Sequence, residues 1–282
     1  MAWTAICCIS FYKPLLALVR HSLNNDSASH ILLIPVIVAW LLYTERAKLS
    51  KPGGLDILAA LPFGLAAGLL LAFVLNHTLP QSGPSLGLQV TGLVLLFIAG
   101  FVAIFGRGSA RNVWFSLAFL AFVIPFPEIL LNRLIYALQY SSAAVAGWIF
   151  DVSGVPVLRE GYVFRLPGLS IEVAKECSGV RSSIALVILA LLIAHFAFSK
   201  FWKKAVFVLA GLIMMAVKNG VRIATLTILA KYVDPSFLFG RLHHEGGVVF
   251  FLFGLALLIP VYWLLRRGET SGLQSTGAPI TS

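Results

Sequence analysis

Apolar runs recur along the chain near residues 4–20, 31–44, 55–76, 86–105, 112–126, 178–198, 205–223 and 247–265. They last about 15 to 22 residues, the length that crosses a hydrocarbon layer of roughly 30 Å. The pattern predicts an all-α protein, a polytopic transmembrane helical bundle of about eight spans. Short basic segments punctuate it at 45–51 (with Arg46 and Lys48), 106–111, 200–204 and 266–267, whereas 21–30 and 77–85 contain no lysine or arginine. Short loops rich in Lys and Arg stay in the cytoplasm, so the alternation predicts both chain ends on that side. The longer outside connections also carry basic residues, balanced by Asp151, Glu160, Glu172, Glu176, Asp234 and Glu245.

Residues 129–150 are long enough to span. A crossing there would move 151–176 into the cytoplasm and leave Lys200, Lys203 and Lys204 outside, against the charge rule. The expectation is an interfacial helix on the outer side, with Tyr136, Tyr140 and Trp148 at headgroup level. The stretch 154–168 is punctuated by Gly and Pro between short β-branched and aromatic pieces. It predicts a small extended or hairpin extracytoplasmic element. Gly64 and Gly68 make a small-xxx-small pair on the third span, read as helix packing. No internal repeat is visible, so an inverted-repeat transporter gains no support. Residues 1–268 read as a single transmembrane domain, and 269–282 as a polar, disordered C-terminal tail. The first run has neither a preceding basic segment nor a small-residue cleavage site, and reads as a retained span.

Composition agrees with the pattern: of 282 residues, 59% are hydrophobic and only 11% charged, against roughly a quarter charged in soluble domains. The net charge of +10 resides mostly in the short loops, where it orients the spans, so nucleic acid is not expected as a partner. Three cysteines cannot make a disulfide framework, and the adjacent Cys7 and Cys8 could pair only under strain.

Polar residues near a membrane are the natural place to look for chemistry. Three clusters stand out: Glu176-Cys-Ser-Gly-Val-Arg-Ser-Ser183, Lys218-Asn-Gly-Val-Arg222 and His243-His-Glu-Gly-Gly247. The topology puts all three on one side. Cys177 precedes a span that ends at the Lys200–Lys204 loop; Arg222 lies about 27 Å beyond Lys204 along a helix; His243 precedes a span that ends at Arg266. Three helices thus bring a thiol, a guanidinium and an imidazole to the outer face. A lone cysteine at a helix start is most often a small buried hydrophobe. Here the helix N-terminus and Lys175 would favour a thiolate. Ser178 and Gly179 leave the thiol unobstructed, and the free N–H groups of the first turn offer an oxyanion site. Asn219 and Arg222 share a helix face and resemble a carbonyl or carboxylate clamp, against the plainer reading of Arg222 as an interface anchor. His244-Glu-Gly-Gly-Val248 has valine where a zincin has its second histidine, so no metal and no cofactor are expected. A Cys–His pair needs only reach and orientation to generate an attacking thiolate.

At these residues the chain resembles the exosortase/archaeosortase family of multi-pass membrane enzymes. The likeness lies in Glu176-Cys-Ser-Gly-Val-Arg-Ser-Ser183, Asn219-Gly-Val-Arg-Ile223 and Leu242-His-His-Glu-Gly-Gly247, with a looser match at Asp26-Ser-Ala-Ser-His30. The resemblance implies a catalytic cysteine, arginine and histidine at Cys177, Arg222 and His243, with Ser178, Gly179, Arg181, Asn219 and His244 as supporting or substrate-binding groups. His243 is preferred over His244 because the family's histidine lies four residues before a glycine, here Gly247. The chain departs from the family at Val248, where tryptophan is common. The resemblance further implies exported protein substrates bearing a C-terminal sorting signal: a motif of the Pro-Glu-Pro type, a transmembrane helix and a basic tail. It implies a lipid or glycan acceptor and a multi-pass location in the cell (inner) membrane, with the active site on the extracytoplasmic face. A transporter or assembly subunit for exopolysaccharide export, with the polar clusters lining a path, is the alternative of a different class. A purely hydrolytic intramembrane protease is a second.

Overall fold

In hydrocarbon, every backbone N–H and C=O must be satisfied within its own segment, so apolar runs become helices. The computed structural model describes residues 3–4, 7, 9, 11–49, 55–76, 84–173, 179–238 and 247–274. Cys177, Ser178, His243 and His244 lie outside the described residues. The chain divides into two compact units, Met1–Leu131 and Asn132–Ser282.

The first unit contains α1 (Tyr12–Asn24), α2 (Ile34–Thr44), α3 (Ile57–Asn76), α4 (Pro84–Asn112) and α5 (Trp114–Phe119), the last running into a 3-10 turn over Leu120–Val123. Helices α3 and α4 pack against each other. A Cβ built on Gly92 of α4 would sit 3.2 Å from the Leu71 side chain, so α4 supplies the small residue at that crossing. The packing role expected of Gly64 and Gly68 is corrected: a Cβ on either meets nothing within 4 Å among the described residues. These glycines face away from the α4 contact because the crossing uses the stripe of Ala67 and Leu71 instead. Gly106 breaks α4 with φ 77° and ψ 162°, a conformation that only glycine adopts without strain. The basic segment expected as a loop over 106–111 is therefore one non-helical residue followed by a further helical turn. Asp56 fastens that break to the start of α3, accepting from the backbone N–H of Arg107 at 3.2 Å and of Ala59 at 3.3 Å. Buried Glu45, at the end of α2, accepts from Lys48 at 2.8 Å and from Ser116 of α5 at 2.6 Å.

His30 is buried in the turn between α1 and α2, with its ring beside Phe126. Burial holds its imidazole below the usual histidine range, partly offset by backbone hydrogen bonds with Ser27 and Phe122. A base with a depressed folded-state pKa leaves stability intact above about pH 6.5 and removes it as the pH falls through the lower folded-state value. Detergent-solubilised protein is thus expected to melt at a lower temperature at pH 5 than at pH 7.5, with His30→Gln narrowing the gap. An unchanged gap in His30→Gln would assign the acid sensitivity to other groups.

The second unit contains most of α6 (Glu128–Val152), then β1 (Leu158–Glu160), β2 (Val163–Leu166), β3 (Leu169–Glu172), α7 (Val180–Ala197), α8 (Phe201–Tyr232) and α9 (Gly247–Gln274). The expected extended element is a three-stranded antiparallel meander, β1-β2-β3, with Glu160 opposite Val163 and Leu166 opposite Leu169. It reaches four residues further than the 154–168 read from sequence, to Glu172. Its inner face, Phe164 and Leu166, packs with Val173, with Ala143, Ala146 and Phe150 of α6, and with Ile223 and Ala224 of α8. The Phe150 and Phe164 rings meet edge-on at 5.2 Å, and burying each is worth about 2–3 kcal/mol. The opposite face of α6 exposes Tyr136, Tyr140 and Trp148. Lys231 near the end of α8 donates to the Pro167 carbonyl in the β2–β3 turn.

Among the described residues, five helices are long and apolar enough to cross a membrane: Ile57–Asn76, Ser85–Asn112, Val180–Ala197, Phe201–Tyr232 and Gly247–Arg267. A sixth is added if Trp114–Val123 and Glu128–Val152 form one sharply bent span. The count of about eight is not reached among the described residues, where the second apolar run forms the shorter helix α2. Helix α9 continues to Gln274, into the stretch expected as a disordered tail.

Candidate functional site

Helices α7, α8 and α9 pack against one another, each against both others. At one end of this bundle the basic and aromatic residues gather: buried Lys203 donates to the Leu265 carbonyl at 2.8 Å, beside the cluster of Phe198, Phe207 and Tyr262. The described residues of the polar blocks lie elsewhere along these helices. Arg222 is about 27 Å from Lys204 along α8.

The start of α7 meets the middle of α8 closely. Gly179, the residue that caps α7, has φ 65° and ψ 26°, the left-handed conformation that costs other L-residues about 1–2 kcal/mol. A Cβ built on it would lie 2.8 Å from Asn219 Oδ1 and 3.5 Å from Lys218 Nζ. Glycine is required twice over, by conformation and by proximity. Lys218 Nζ donates to Ser182 Oγ at 2.7 Å, and Ser182 Oγ donates to the Gly179 carbonyl at 3.1 Å. Asn219 is 1% exposed, and its Nδ2 donates to Ser142 Oγ of α6 at 3.1 Å. Gly220 lies at the crossing with α6, where a built Cβ would come 2.5 Å from Val145 Cβ. On the third helix, a Cβ on Gly254 would meet Lys218 Cδ at 3.1 Å.

The structure therefore brings the described parts of the first two blocks together, and Gly247, the one described residue of the third block, begins α9, which packs on the same lysine. Arg222 is half-buried one turn beyond Lys218, and Arg181 is exposed on α7. Asn219, expected to form a clamp with Arg222, lies between α7 and α6, with Oδ1 towards Gly179 and Nδ2 on Ser142. Helix α8 does not end near Arg222 but runs ten residues further, to Tyr232, about 15 Å. That extension carries the sheet, so the polar level lies where the bundle meets the sheet-bearing layer of this unit. Reading from sequence placed Lys218 and Ser182 in its polar clusters without giving either a role, and missed Ser142. Lys218 had a signal, a charge inside an apolar run that must have a use to be kept; Ser142, in an ordinary helical stretch, had none.

The transmembrane exosortase family model matches residues 22–260. The chain belongs to that family. The match takes in all three polar blocks and most of the chain, and membership suggests a sorting-related, multi-pass membrane enzyme, consistent with protease or transpeptidase chemistry. No curated protein and no solved structure matches the chain.

One consequence for this exosortase is direct. Gly179→Ala adds left-handed strain of about 1–2 kcal/mol and drives a methyl against Asn219. It is expected to lower the melting temperature and to reduce activity together. Parent-like melting and activity in this variant would mean that the turn at Gly179 adapts freely.

Proposed function

We propose that this exosortase is a membrane-embedded cysteine transpeptidase that cuts the C-terminal sorting signal of exported proteins at the outer membrane boundary. The observation that supports it best is the close seating of Gly179 on Lys218 and Asn219, which joins the segment following Cys177 to the segment carrying Arg222. In this reading the basic end of the α7–α8–α9 bundle faces the cytoplasm, the sheet layer lies outside, and α6 rests in the outer interface on Tyr136, Tyr140 and Trp148.

The Cys177 thiolate attacks the substrate carbonyl, forming an S–C bond, and the peptide C–N bond breaks as His243 gives its proton to the leaving amine. Arg222 stabilises the oxyanion or orients the peptide. An amine or hydroxyl of a lipid or glycan acceptor then attacks the thioester, surrenders its proton to His243, and releases the thiolate. Ser178, Gly179, Arg181, Asn219 and His244 support the site. The substrates are exported proteins with a Pro-Glu-Pro-type motif, a transmembrane helix and a basic tail.

The test is intact mass spectrometry of an exported reporter carrying such a signal, co-expressed with the enzyme. A shortened reporter that is heavier than simple hydrolysis predicts is the expected result. A product of hydrolytic mass would replace transfer with proteolysis, and processing that persists without Cys177 would mean that the nucleophile lies elsewhere.

A further inference from the structure

Lys13 and Arg20 interrupt the first apolar run, and the chemistry proposed above uses neither. A charge inside such a run is retained where it has a task. In the proposed orientation Arg20 borders the outer connection 21–30, where the cytoplasmic preference of basic residues does not account for it. Both side chains line a cavity of about 460 Å³, together with Leu16, His21 and Asn24 of α1 and Leu86 of α4. All of these residues belong to the first unit.

Lys13, Arg20 and Asn24 follow one another at intervals of seven and four residues, which puts them on one stripe of α1. Lys13 and Arg20 are exposed and stand about 10 Å apart along the axis, and both stems are long enough to converge on an anion between them. Among the described residues neither has a carboxylate within ion-pair distance, and no described acidic side chain lines the cavity. Asn25 Nδ2 donates to the His21 carbonyl at 3.0 Å and to His21 Nδ1 at 3.2 Å. Because that nitrogen is the donor in both contacts, Nδ1 accepts, and the neutral ring carries its proton on Nε2. His21 thus adds an N–H donor, and Asn24 an amide, to a wall that already holds two cations.

A second stripe runs beside the first. Tyr12, Leu16, Val19 and Leu23 are spaced by four, three and four residues, and all four are exposed. Leu16 belongs both to this stripe and to the cavity, whose α4 wall, Leu86, is also apolar. The space is far larger than one inorganic ion needs, since a water takes only about 30 Å³. A cationic, donor-bearing cavity beside an exposed apolar stripe, on a multi-pass membrane protein, matches an amphiphile with a negative head and a hydrocarbon chain.

We propose that this face of α1 binds the phosphate headgroup of an anionic lipid, with Lys13 and Arg20 holding the phosphate and an acyl chain lying along Tyr12, Leu16, Val19 and Leu23. The inference goes beyond the transpeptidase reading and does not depend on it.

The experiment titrates detergent-solubilised full-length protein with dioctanoyl phosphatidylglycerol, dioctanoyl phosphatidylcholine or inorganic phosphate, and reads bound ligand by native mass spectrometry. Phosphatidylglycerol is expected to bind roughly tenfold more tightly than either of the others. Lys13→Gln and Arg20→Gln are each expected to weaken its binding about fivefold, and the double variant about 25-fold. Arg107→Gln combined with Lys200→Gln removes the same charge elsewhere and is expected to bind like the parent. Parent-like binding by the Lys13→Gln, Arg20→Gln double variant overturns the proposal. Equal weakening in the control pair also overturns it, because net charge rather than this cavity would then be at work. If inorganic phosphate binds as tightly as phosphatidylglycerol, the cavity takes free anions and the lipid assignment fails. Should the double variant not melt cooperatively, the two single variants decide by the same criterion. The readout uses no sorting signal, so its failure leaves the role of Cys177 untouched, and processing by Cys177→Ser would leave this inference standing.

Discussion

Cys177→Ser is expected to leave an exported sorting-signal reporter uncut, with processing reduced on the order of a thousandfold or more. The substitution is nearly isosteric, so the loss has a chemical origin. In the proposed mechanism Cys177 works with His243 at a helix N-terminus, and a thiol in such a setting gives up its proton near neutral pH to an intrinsically nucleophilic thiolate. A serine hydroxyl in the same place stays protonated, and a site arranged around a preformed thiolate offers it no base of sufficient strength. Cys177→Ala is expected to be equally inactive, with expression and melting temperature like those of the parent in both variants. Comparable processing by Cys177→Ser would mean that the position contributes a hydrogen-bonding wall and that the nucleophile lies elsewhere.

The second large effect is structural. Gly220→Ala is expected to destabilise the second unit by about 1–3 kcal/mol, and Gly220→Val by more. Its Cβ would lie 2.5 Å from Val145 Cβ and 2.9 Å from the Ser142 carbonyl oxygen, and neither of those atoms belongs to the far end of a flexible side chain. Val145→Ala therefore gives no rescue, because it keeps the Cβ that clashes and leaves the carbonyl in place. Relief requires α6 and α8 to separate, which would break the Asn219–Ser142 hydrogen bond and shift Asn219 against Gly179. Melting and reporter processing should fall together. A Gly220→Ala variant with parent-like values in both would show that the crossing opens at little expense.

Much of the architecture was legible in one dimension. The long α3, α4, α7, α8 and α9 coincide with apolar runs, and the α7–α8 corner coincides with the basic segment 200–204. The meander was foreshadowed by Gly and Pro between β-branched pieces, although β3 was not. Helix α8 runs nine residues beyond the apolar run read as 205–223. The real helix continues because Ile223 and Ala224 are buried by α6 and the sheet, a partner that hydropathy along α8 does not contain. The small-residue pair Gly64 and Gly68 misled in the opposite direction: spacing supplied the motif, but the contact it requires falls instead at Gly92 on the neighbouring helix.

Sequence by itself determined that this chain is a multi-pass membrane protein, which helices start at its polar blocks, and which family it joins. Hydrophobic length, loop charge and ordered motifs are properties of neighbouring residues and survive without a fold. Only the tertiary structure decided that Asn219 bonds Ser142 of α6, that Gly220 is a crossing point, and that Lys218 sits on Ser182. Those facts depend on distances between residues 36 and 77 positions apart, set by how helices cross and which side chains fill the gap. No local pattern encodes such distances, because one residue fits or clashes only against the surface that packing brings to it.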